Sequence, residues 1–374
     1  MRALCSKARQ TVRLARRGSV IVVVLVMIML ASLMLVKFIE SSAVELTLAT
    51  RQADQDRLRS DAYSALETLL AVMAEIKAID DDKLHAPAQG WGDPYYYAGE
   101  SPREGVTATF SFTDESGKLS LPKMSFDEMV ELAQVLGLTE TDGRRFSDGL
   151  FAWMREDHLP QDIDAEASRY EREDPPIVVP KRSLRSWDEL RAVRVAREYI
   201  YDEDGQLTFF GAALRDAVSL YSFEGVNVNA LAANLGLARG WDEAQLAQVG
   251  GYQASQGARP AGAPPWFRGV DDLTTLLGAN ADLKGLDAEV KLLRVEVTVR
   301  EGAGSMSLLV LVALDDAVEL PAVAAPDAAE GVETPAANAP ESEEKLDYPF
   351  RILELIETSG PPPVASLDEE DPPI

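Results

Sequence analysis

Hydrophobic and polar positions divide the chain into a long N-terminal helix, a few strands, a block of short helices and a second group of strands. The first pattern is an uncharged run of 18 residues over 19–36, SVIVVVLVMIMLASLMLV. As a helix it would span about 27 Å, close to the hydrocarbon thickness of a bilayer. Six basic residues and no acidic residue precede it. The positive-inside rule therefore predicts a cytoplasmic N-terminus, with the bulk of the chain on the other side of the membrane.

The helix is predicted to continue far beyond this apolar run. Neither glycine nor proline, the two strongest helix breakers, occurs between Ser19 and Ala86. Apolar residues then recur every three or four positions, the period of one helix face, at Ala62, Leu66, Leu69, Met73 and Ile76. We therefore expect residues 19–86 to contain one helix, about 90 Å long and ending near residue 79, whose C-terminal half packs on a sheet.

Alternating apolar and polar residues predict strands in two separate regions. Residues 106–113 (VTATFSFT) are expected to form a strand, and residues 118–121 a short return strand after a turn. Residues 290–300 and 305–314, joined by a glycine-containing turn, predict an antiparallel hairpin. Residues 348–356 (YPFRILELI) are a candidate last strand. The simplest arrangement places all of these strands in one sheet.

Residues 125–285, between the two groups of strands, show helical periodicity in several short stretches. Helices are expected over residues 126–136, 144–154, 188–201, 230–237, 242–249 and 271–277. Ser125 with Glu128, and Ser186 with Glu189, have the spacing of a capping box. The predicted fold class is therefore α+β, with a long N-terminal helix packed on a small antiparallel sheet and a large all-helical domain inserted between strands.

Composition argues against several classes of function. The chain has 62 acidic and 36 basic residues, a net charge of −26, and nucleic-acid binding needs clustered Lys and Arg. A single cysteine, Cys5, excludes an intramolecular disulfide and a cysteine-based zinc site. Two histidines, His85 and His158, leave little for a histidine metal cluster. Acidic, proline- and alanine-rich sequence predicts disorder over residues 315–346 and 358–374.

The basic N-terminal segment ends in Gly18, and the apolar run begins at Ser19. Three interpretations compete. A secretory signal would have a shorter apolar core followed by a cleavage site, for which residues 41–43 (SSA) would serve, whereas a signal anchor would stay uncleaved. The third, which the glycine favours, is a leader over residues 1–18 that resembles a type IV prepilin leader. An intramembrane aspartic peptidase would cleave it between Gly18 and Ser19. A side chain at position 18 would obstruct binding of the extended backbone in the active site of that peptidase.

Five further segments resemble, in the same order, the motifs of one family. They are residues 113–121 (TDESGKLSL), 153–157 (WMRED), 164–170 (DAEASRY), 180–190 (PKRSLRSWDEL) and 226–230 (VNVNA). Together with the N-terminus they resemble type II secretion system protein K, the large minor pseudopilin. The resemblance implies a pilin-like β part formed by residues 87–124 and 286–357. It also implies a non-enzymatic role at the tip of the pseudopilus, in pseudopilus assembly and in protein export across the outer membrane.

The same resemblance implies a location and partners. A minor pseudopilin is a single-pass protein of the cell inner membrane with its bulk in the periplasm. It is matured by the prepilin peptidase and joins other minor pseudopilins through their N-terminal helices. Most pilins carry a glutamate at the fifth mature position, where it pairs with the N-terminal amine of a neighbour, but this chain has Val23 there. Protein K lacks this glutamate too, which fits a subunit at the tip.

Members of the family can bind calcium through acidic residues of the helical domain. In the corresponding segment of this chain, Ala152 and Arg155 stand where the family motif has two of its three acidic residues. Oxygen ligands for calcium remain available at Asp157, Asp162, Asp164 and Glu166. The alternative is a solvated acidic loop, as expected in so acidic a chain.

Two other functions stay open at this point. A membrane-anchored extracytoplasmic hydrolase would need a nucleophile and a base, but the chain has no G-x-S-x-G motif and no cysteine after residue 18. No catalytic residue is assigned, and His158 is expected at the surface before Pro160. A minor pilin of a type IV pilus would share the leader and the helix, but the large helical domain argues against it.

Overall fold

The structure, a computed structural model, describes residues 4–254, 256, 262–278, 281–315, 317–318 and 350–360, with backbone alone over residues 4–19. Its α-helices there are α1 (Leu4–Ile79), α2 (Pro94–Ala98), α3 (Phe126–Val135), α4 (Glu140–Met154), α5 (Ala167–Tyr170), α6 (Arg194–Ile200), α7 (Phe209–Ala217), α8 (Ala233–Ala238), α9 (Glu243–Gln253) and α10 (Val270–Leu277). The strands are β1 (Thr107–Asp114), β2 (Leu119–Ser120), β3 (Val218–Ser219), β4 (Val226–Asn227), β5 (Leu286–Asp287), β6 (Leu292–Glu301), β7 (Gly304–Ala313) and β8 (Arg351–Ser359).

The first element, α1, is an uninterrupted helix of 76 residues, about 110 Å long. It ends at Ile79, as the sequence predicts, but it begins at Leu4, upstream of the expected start at Ser19. Its two halves differ in exposure. The apolar residues of the N-terminal half are exposed, whereas from Leu58 to Ile76 one face is buried.

That buried face packs on a four-stranded antiparallel sheet with the strand order β1-β6-β7-β8. β1 pairs with β6 in a register that sets Phe110 opposite Val297, although the helical block lies between them in sequence. The core between helix and sheet contains Leu66, Leu69, Met73, Val295, Val297, Leu308 and Val310, all buried. The predicted hairpin and the predicted union of early and late strands in one sheet are both confirmed.

Two large hydrophobic clusters lie in the described part of the inserted block. The larger one is built mainly from α3, α4, α6 and α7, and its most deeply buried side chains include Met129, Leu132, Phe146, Leu150 and Leu190. The smaller one gathers α9 and α10 around Trp241, Tyr252, Phe267 and Leu273. In it the rings of Tyr252 and Phe267 stack with centroids 4.3 Å apart. The block therefore has its own apolar cores, separate from the core under α1.

The block is not entirely helical, which corrects two expectations. Residues 118–121 were expected to return along β1, but β2 instead pairs in parallel with β3. A second two-residue parallel ladder joins β4 to β5. The 3-10 turn Glu115–Gly117 redirects the chain after β1, and Ser120 Oγ then donates a 2.8 Å hydrogen bond to the carbonyl of Tyr221, which is distant in sequence.

Helix caps were predicted with mixed success. The Ser125–Glu128 capping box is confirmed, because Ser125 N donates to Glu128 Oε2 (2.7 Å) and Glu128 N donates to Ser125 Oγ (3.3 Å). Ser186 makes no side-chain cap, and the carboxylate of Glu189 instead lies 3.1 Å from Nη1 of Arg182. The expected helix over 188–201 is divided into the 3-10 helix Trp187–Arg191 and α6, and α7 was not predicted.

The segments predicted to be disordered, residues 315–346 and 358–374, lie largely outside the described residues. Of the second segment, Thr358 and Ser359 belong to β8. The candidate last strand over 348–356 is thus present, but it begins at Arg351 and runs three residues further than predicted.

Candidate functional sites on the helix, the junction and the acidic segment

The N-terminal half of α1 presents an apolar surface. The large hydrophobic side chains from Val20 to Leu48 are 50–73% exposed. Within the described residues, α1 is the one helix that is long and apolar enough to cross a membrane, and its most apolar window has a mean hydropathy of 2.9 and is not buried. The described part of the chain therefore leaves this surface free for lipid or for other helices.

The predicted processing site lies within this helix. The backbone is helical through Gly18 and Ser19. Val23, at the position where most pilins have a glutamate, is 57% exposed on the same apolar surface. Cleavage between Gly18 and Ser19 stays a prediction. The two residues lie immediately before the exposed apolar run, which begins at Val20.

A polar network joins the sheet to the inserted block. At the end of β1, Asp114 Oδ1 accepts hydrogen bonds from the backbone N (2.8 Å) and from the hydroxyl of Ser116, while its Oδ2 accepts from Nδ2 of Asn227 (2.6 Å). Ser116 Oγ also accepts from the backbone N of Lys291 (3.0 Å). The end of β1, the residue before β6 and strand β4 therefore meet at one point.

The same network reaches the end of α1. Asn227 is fully buried, and its Nδ2 also donates to the carbonyl of His85 (3.1 Å). Asn229 Nδ2 donates to the carbonyls of Phe267 (3.0 Å) and Ala288 (3.1 Å). Nδ1 of His85, itself buried, donates to the same Ala288 carbonyl (2.6 Å). We call this network the junction; its members are His85, Asp114, Ser116, Asn227, Asn229, Phe267, Ala288 and Lys291.

Two of the sequence motifs, residues 113–121 and 226–230, thus contact each other at the junction. A Cβ added to Gly117 would lie 2.6 Å from the carbonyl oxygen of Ala230 and 2.7 Å from its Cβ, which is too close for real atoms. Burial raises the pKa of Asp114 to about 6, although hydrogen bonds from Ser116 and Asn227 favour its ionised form. The junction therefore combines tight backbone packing with a carboxyl group of unusual proton affinity.

The four candidate calcium ligands do not converge on one point, although two of them, Asp162 and Asp164, lie near the same arginine, Arg145. Asp157 and Glu166 are exposed, whereas Asp162 and Asp164 face arginine side chains. Within the described residues, no group of three or more His, Cys, Asp or Glu side chains is arranged to hold a metal ion. The physical reason is that Arg145, from α4, lies among the carboxylates. The oxygen donor set for calcium is therefore not formed here.

His158 corrects a second expectation, because it does not lie free at the surface. Its Nε2 is 2.8 Å from Oδ1 of Asp148, and its ring stacks on Phe126 with centroids 5.6 Å apart. Oδ2 of Asp148 accepts hydrogen bonds from the backbone N of Gln161 and of Asp162, both 2.8 Å long. A buried carboxylate on α4 needs such donors, and the segment after α4 supplies them.

Sequence reasoning did not identify Arg145, Asp148 or Asn227 as residues that organise these sites. A partial signal exists for Asp148, which is a charged residue in the buried, otherwise uncharged C-terminal half of α4. Buried charges in proteins are paired. No comparable signal marks Arg145, because an arginine on a helix is ordinarily a solvated residue.

Comparison with known proteins finds one family match for part of the chain and one similar fold. Residues 115–203 match the family described as type II secretion system (T2SS), protein K. No curated protein matches the chain. A chain in the crystal structure of the GspK-GspI-GspJ complex from the enterotoxigenic Escherichia coli type 2 secretion system shares the fold with a TM-score of 0.51. The two are 14% identical, and the match covers 83% of this chain and 99% of that one.

The matched residues begin at the turn after β1 and run through α3, α4, α5 and α6. They include Ser116 and Gly117 at the junction and the whole acidic segment after α4. The fold match extends well beyond them. The family match thus covers the first half of the inserted block, and the shared fold covers most of the chain.

Proposed function

We propose that this chain is a non-enzymatic minor pseudopilin at the tip of a type II secretion pseudopilus. There it takes part in pseudopilus assembly and in protein export across the outer membrane. The observation that carries the proposal is the division of α1 into two halves. The C-terminal half is buried on the chain's own sheet, whereas the apolar side chains of the N-terminal half are exposed. Such a helix can carry the folded part of the chain (the head, residues 58–360) at one end and pack against the helices of other subunits at the other.

The exposed half of α1 requires a cover. Apolar surface left in water costs about 25 cal/mol per Å², and large apolar patches mark sites of membrane or protein contact. The inner membrane supplies that cover before assembly, with the N-terminus in the cytoplasm and the head in the periplasm. After assembly, the N-terminal helices of neighbouring minor pseudopilins supply it. The similar GspK-GspI-GspJ complex contains two further subunits, and we propose equivalents of them as partners here.

Maturation by the prepilin peptidase fits the start of the apolar surface. Cleavage between Gly18 and Ser19 removes the basic leader and creates a free amine at Ser19. Val23 offers no carboxylate to the amine of a neighbour, and an unpaired charge in an apolar bundle is costly. The missing carboxylate supports a subunit that ends the filament and argues against one that repeats along it.

The inserted block supports the same position. Residues 115–291 depart from the sheet between β1 and β6 and form their own hydrophobic clusters. Such a broad head hinders stacking of a further subunit above it. An enzymatic role has less support, because His158 is paired with Asp148 and His85 binds the carbonyl of Ala288. Both histidines thus have structural partners.

The test is assembly with small minor pseudopilins. The full chain, co-expressed with the two smaller subunits and extracted in a non-ionic detergent, should purify as a finite complex that contains one copy of it. Light scattering measures the mass. Leu46→Glu places a charge on the exposed apolar surface of α1 (Leu46 is 69% exposed) and should weaken the complex at least tenfold. Gln55→Glu adds the same charge to the polar stretch of α1 and is the matched control. An open homopolymer, or no complex, contradicts the proposal.

A further inference from the structure

The segment that follows α4 has a dense negative charge. Residues 156–174 contain eight acidic and two basic residues. Carboxylates held close together repel each other unless a cation lies among them. A calcium ion meets that need through about six to eight oxygen ligands at roughly 2.3–2.6 Å. Segment 156–174 therefore needs a positive charge among its carboxylates, supplied by a metal ion or by a basic side chain.

Arg145 reaches the segment from α4. Its Nε donates a 2.6 Å hydrogen bond to Oδ2 of Asp162, and its Nη1 donates a 2.7 Å hydrogen bond to Oε2 of Glu198. Its Nη2 lies 3.8 Å from Oδ2 of Asp164. Hydrogen bonds with Tyr199 and with these acidic partners raise the pKa of Arg145, so its charge is permanent. One guanidinium group thus serves three carboxylates.

Arg194, the first residue of α6, approaches from the other side. Its Nη2 lies 3.8 Å from Oδ1 of Asp164, and its Nη1 donates a 2.8 Å hydrogen bond to Oε1 of Glu173. Asp164 therefore has one guanidinium near each of its two oxygens. The backbone N of Arg194 also donates to the hydroxyl of Tyr170 (3.1 Å). These contacts tie the second half of the segment to α6.

The backbone of the segment is fixed independently by Asp148, which accepts from Gln161 and Asp162. Asp148 and Arg145 lie three positions apart on α4, so they share one helix face. Asp148 accepts hydrogen bonds from the backbone of this turn, and Arg145 donates to the side chain of Asp162 in the same turn. The fold of this turn is therefore determined by side chains of the protein itself.

We propose that Arg145 and Arg194 take the place that a calcium ion would have in segment 156–174, so that this segment reaches its native conformation without a divalent cation. The two arginines occupy lone pairs of Asp162 and Glu173 and place a positive charge 3.8 Å from each oxygen of Asp164, where a calcium ion would itself need to bind. Their fixed charges also repel a second cation. Asp157 and Glu166, the other candidate ligands, are exposed. The inference concerns this segment alone and does not depend on the tip role.

Hydrogen exchange of the full chain in non-ionic detergent tests the inference on the wild-type protein. Backbone amides of residues 156–174 are followed with excess calcium chloride and with the chelator EGTA. We expect the two protection profiles to agree within twofold. Protection that rises at least tenfold with calcium in this segment overturns the inference, whereas calcium binding elsewhere on the acidic chain leaves these amides unchanged.

Variants of Arg145 test the role of the charge. Arg145→Gln removes the cation and should raise exchange in residues 156–174 at least tenfold, whereas Arg145→Lys keeps the charge and should recover most of the protection. Arg144→Gln is the matched control, because within the described residues Arg144 forms its ion pair with Glu140, on the exposed surface of α4. Equal exchange in Arg145→Gln and wild type, or in the Gln and Lys variants, overturns the inference. If Arg145→Gln does not fold, the wild-type and Lys measurements decide.

Discussion

The side-chain amide of Asn227 donates a 2.6 Å hydrogen bond to the carboxylate of Asp114, across 113 positions of sequence. The same nitrogen donates to the carbonyl of His85, just after α1. One buried side chain of the inserted block therefore links the segment after α1 to the end of β1. The orientation of the block on the sheet depends on this contact, and with it the shape of the head that α1 carries.

Asn227→Ala is expected to destabilise the chain by about 3 kcal/mol, because Oδ2 of Asp114 and the carbonyl of His85 both lose the donor that Asn227 provides. Urea unfolding of the full chain in detergent, followed by tryptophan fluorescence, measures this loss. Asn234→Ala is the control, since Oδ1 of Asn234 on α8 is buried and has no hydrogen-bond partner among the described residues. Similar losses in the two variants would show that the junction is not a special point of the fold.

The pH dependence of stability should show the raised pKa of Asp114. Because its folded pKa of about 6 exceeds the ordinary aspartate pKa of 3.8, the native state holds more protons than the unfolded state at intermediate pH. The stabilising contribution is complete below the unfolded pKa and is lost as pH rises through the folded pKa. Compared with Asp114→Asn, the wild type should therefore lose about 1.5 kcal/mol between about pH 5 and about pH 7.5.

The control for this measurement is Asp142→Asn. Hydrogen bonds from Thr139 and Tyr199 lower the pKa of Asp142, so its contribution is lost only in more acidic solution. The stability difference between wild type and Asp142→Asn should stay constant over the same pH range. A constant difference for Asp114→Asn as well would contradict the assignment of the buried carboxyl group.

Gly117→Ala is expected to cost about 2 kcal/mol or more, because the new Cβ meets the backbone of Ala230 at 2.6 Å. Gly117 does not have a left-handed φ, so lack of space is the sole cause. The second variant Ala230→Gly, added to the first, should restore part of the loss. Gly250→Ala in α9, where a Cβ meets nothing within 4 Å, should instead stabilise its helix slightly. Equal melting temperatures for the two single variants would contradict the close contact.

The long helix and the hairpin could be predicted because their signals are local. An absence of Gly and Pro from Ser19 to Ala86 and a regular apolar spacing define α1. Alternation marks most of β6, and β-forming residues on both sides of a glycine-containing turn mark the hairpin of β6 and β7. Ladders β2-β3 and β4-β5 could not be predicted, because two-residue strands carry no periodicity. Their pairing depends on the redirected turn at Glu115–Gly117, which is a tertiary effect.

The sites were harder to predict than the elements. Acidic residues 157–166 suggested oxygen ligands, but the cation that meets Asp162 comes from Arg145, which lies on the preceding helix. His158 likewise depends on Asp148, ten positions earlier. Pairing between side chains of different elements requires the packing of α4 against the next segment, and the spacing of residues does not contain this information.

The last prediction concerns the N-terminus of the mature chain. We expect it at Ser19, because the basic leader ends at Gly18 and the exposed apolar surface begins immediately after it. The peptide bond must leave the helical conformation that it has in α1 to enter a peptidase site, and glycine permits this more readily than any residue with a side chain. Gly18→Leu should therefore accumulate as uncleaved precursor, whereas Arg17→Lys, which keeps the charge next to the site, should be cleaved normally. N-terminal sequencing of membrane-extracted protein measures both. A mature chain that begins at or after Val44 would instead show ordinary signal-peptidase cleavage, and the proposed insertion of α1 among the helices of neighbouring subunits would fail with it.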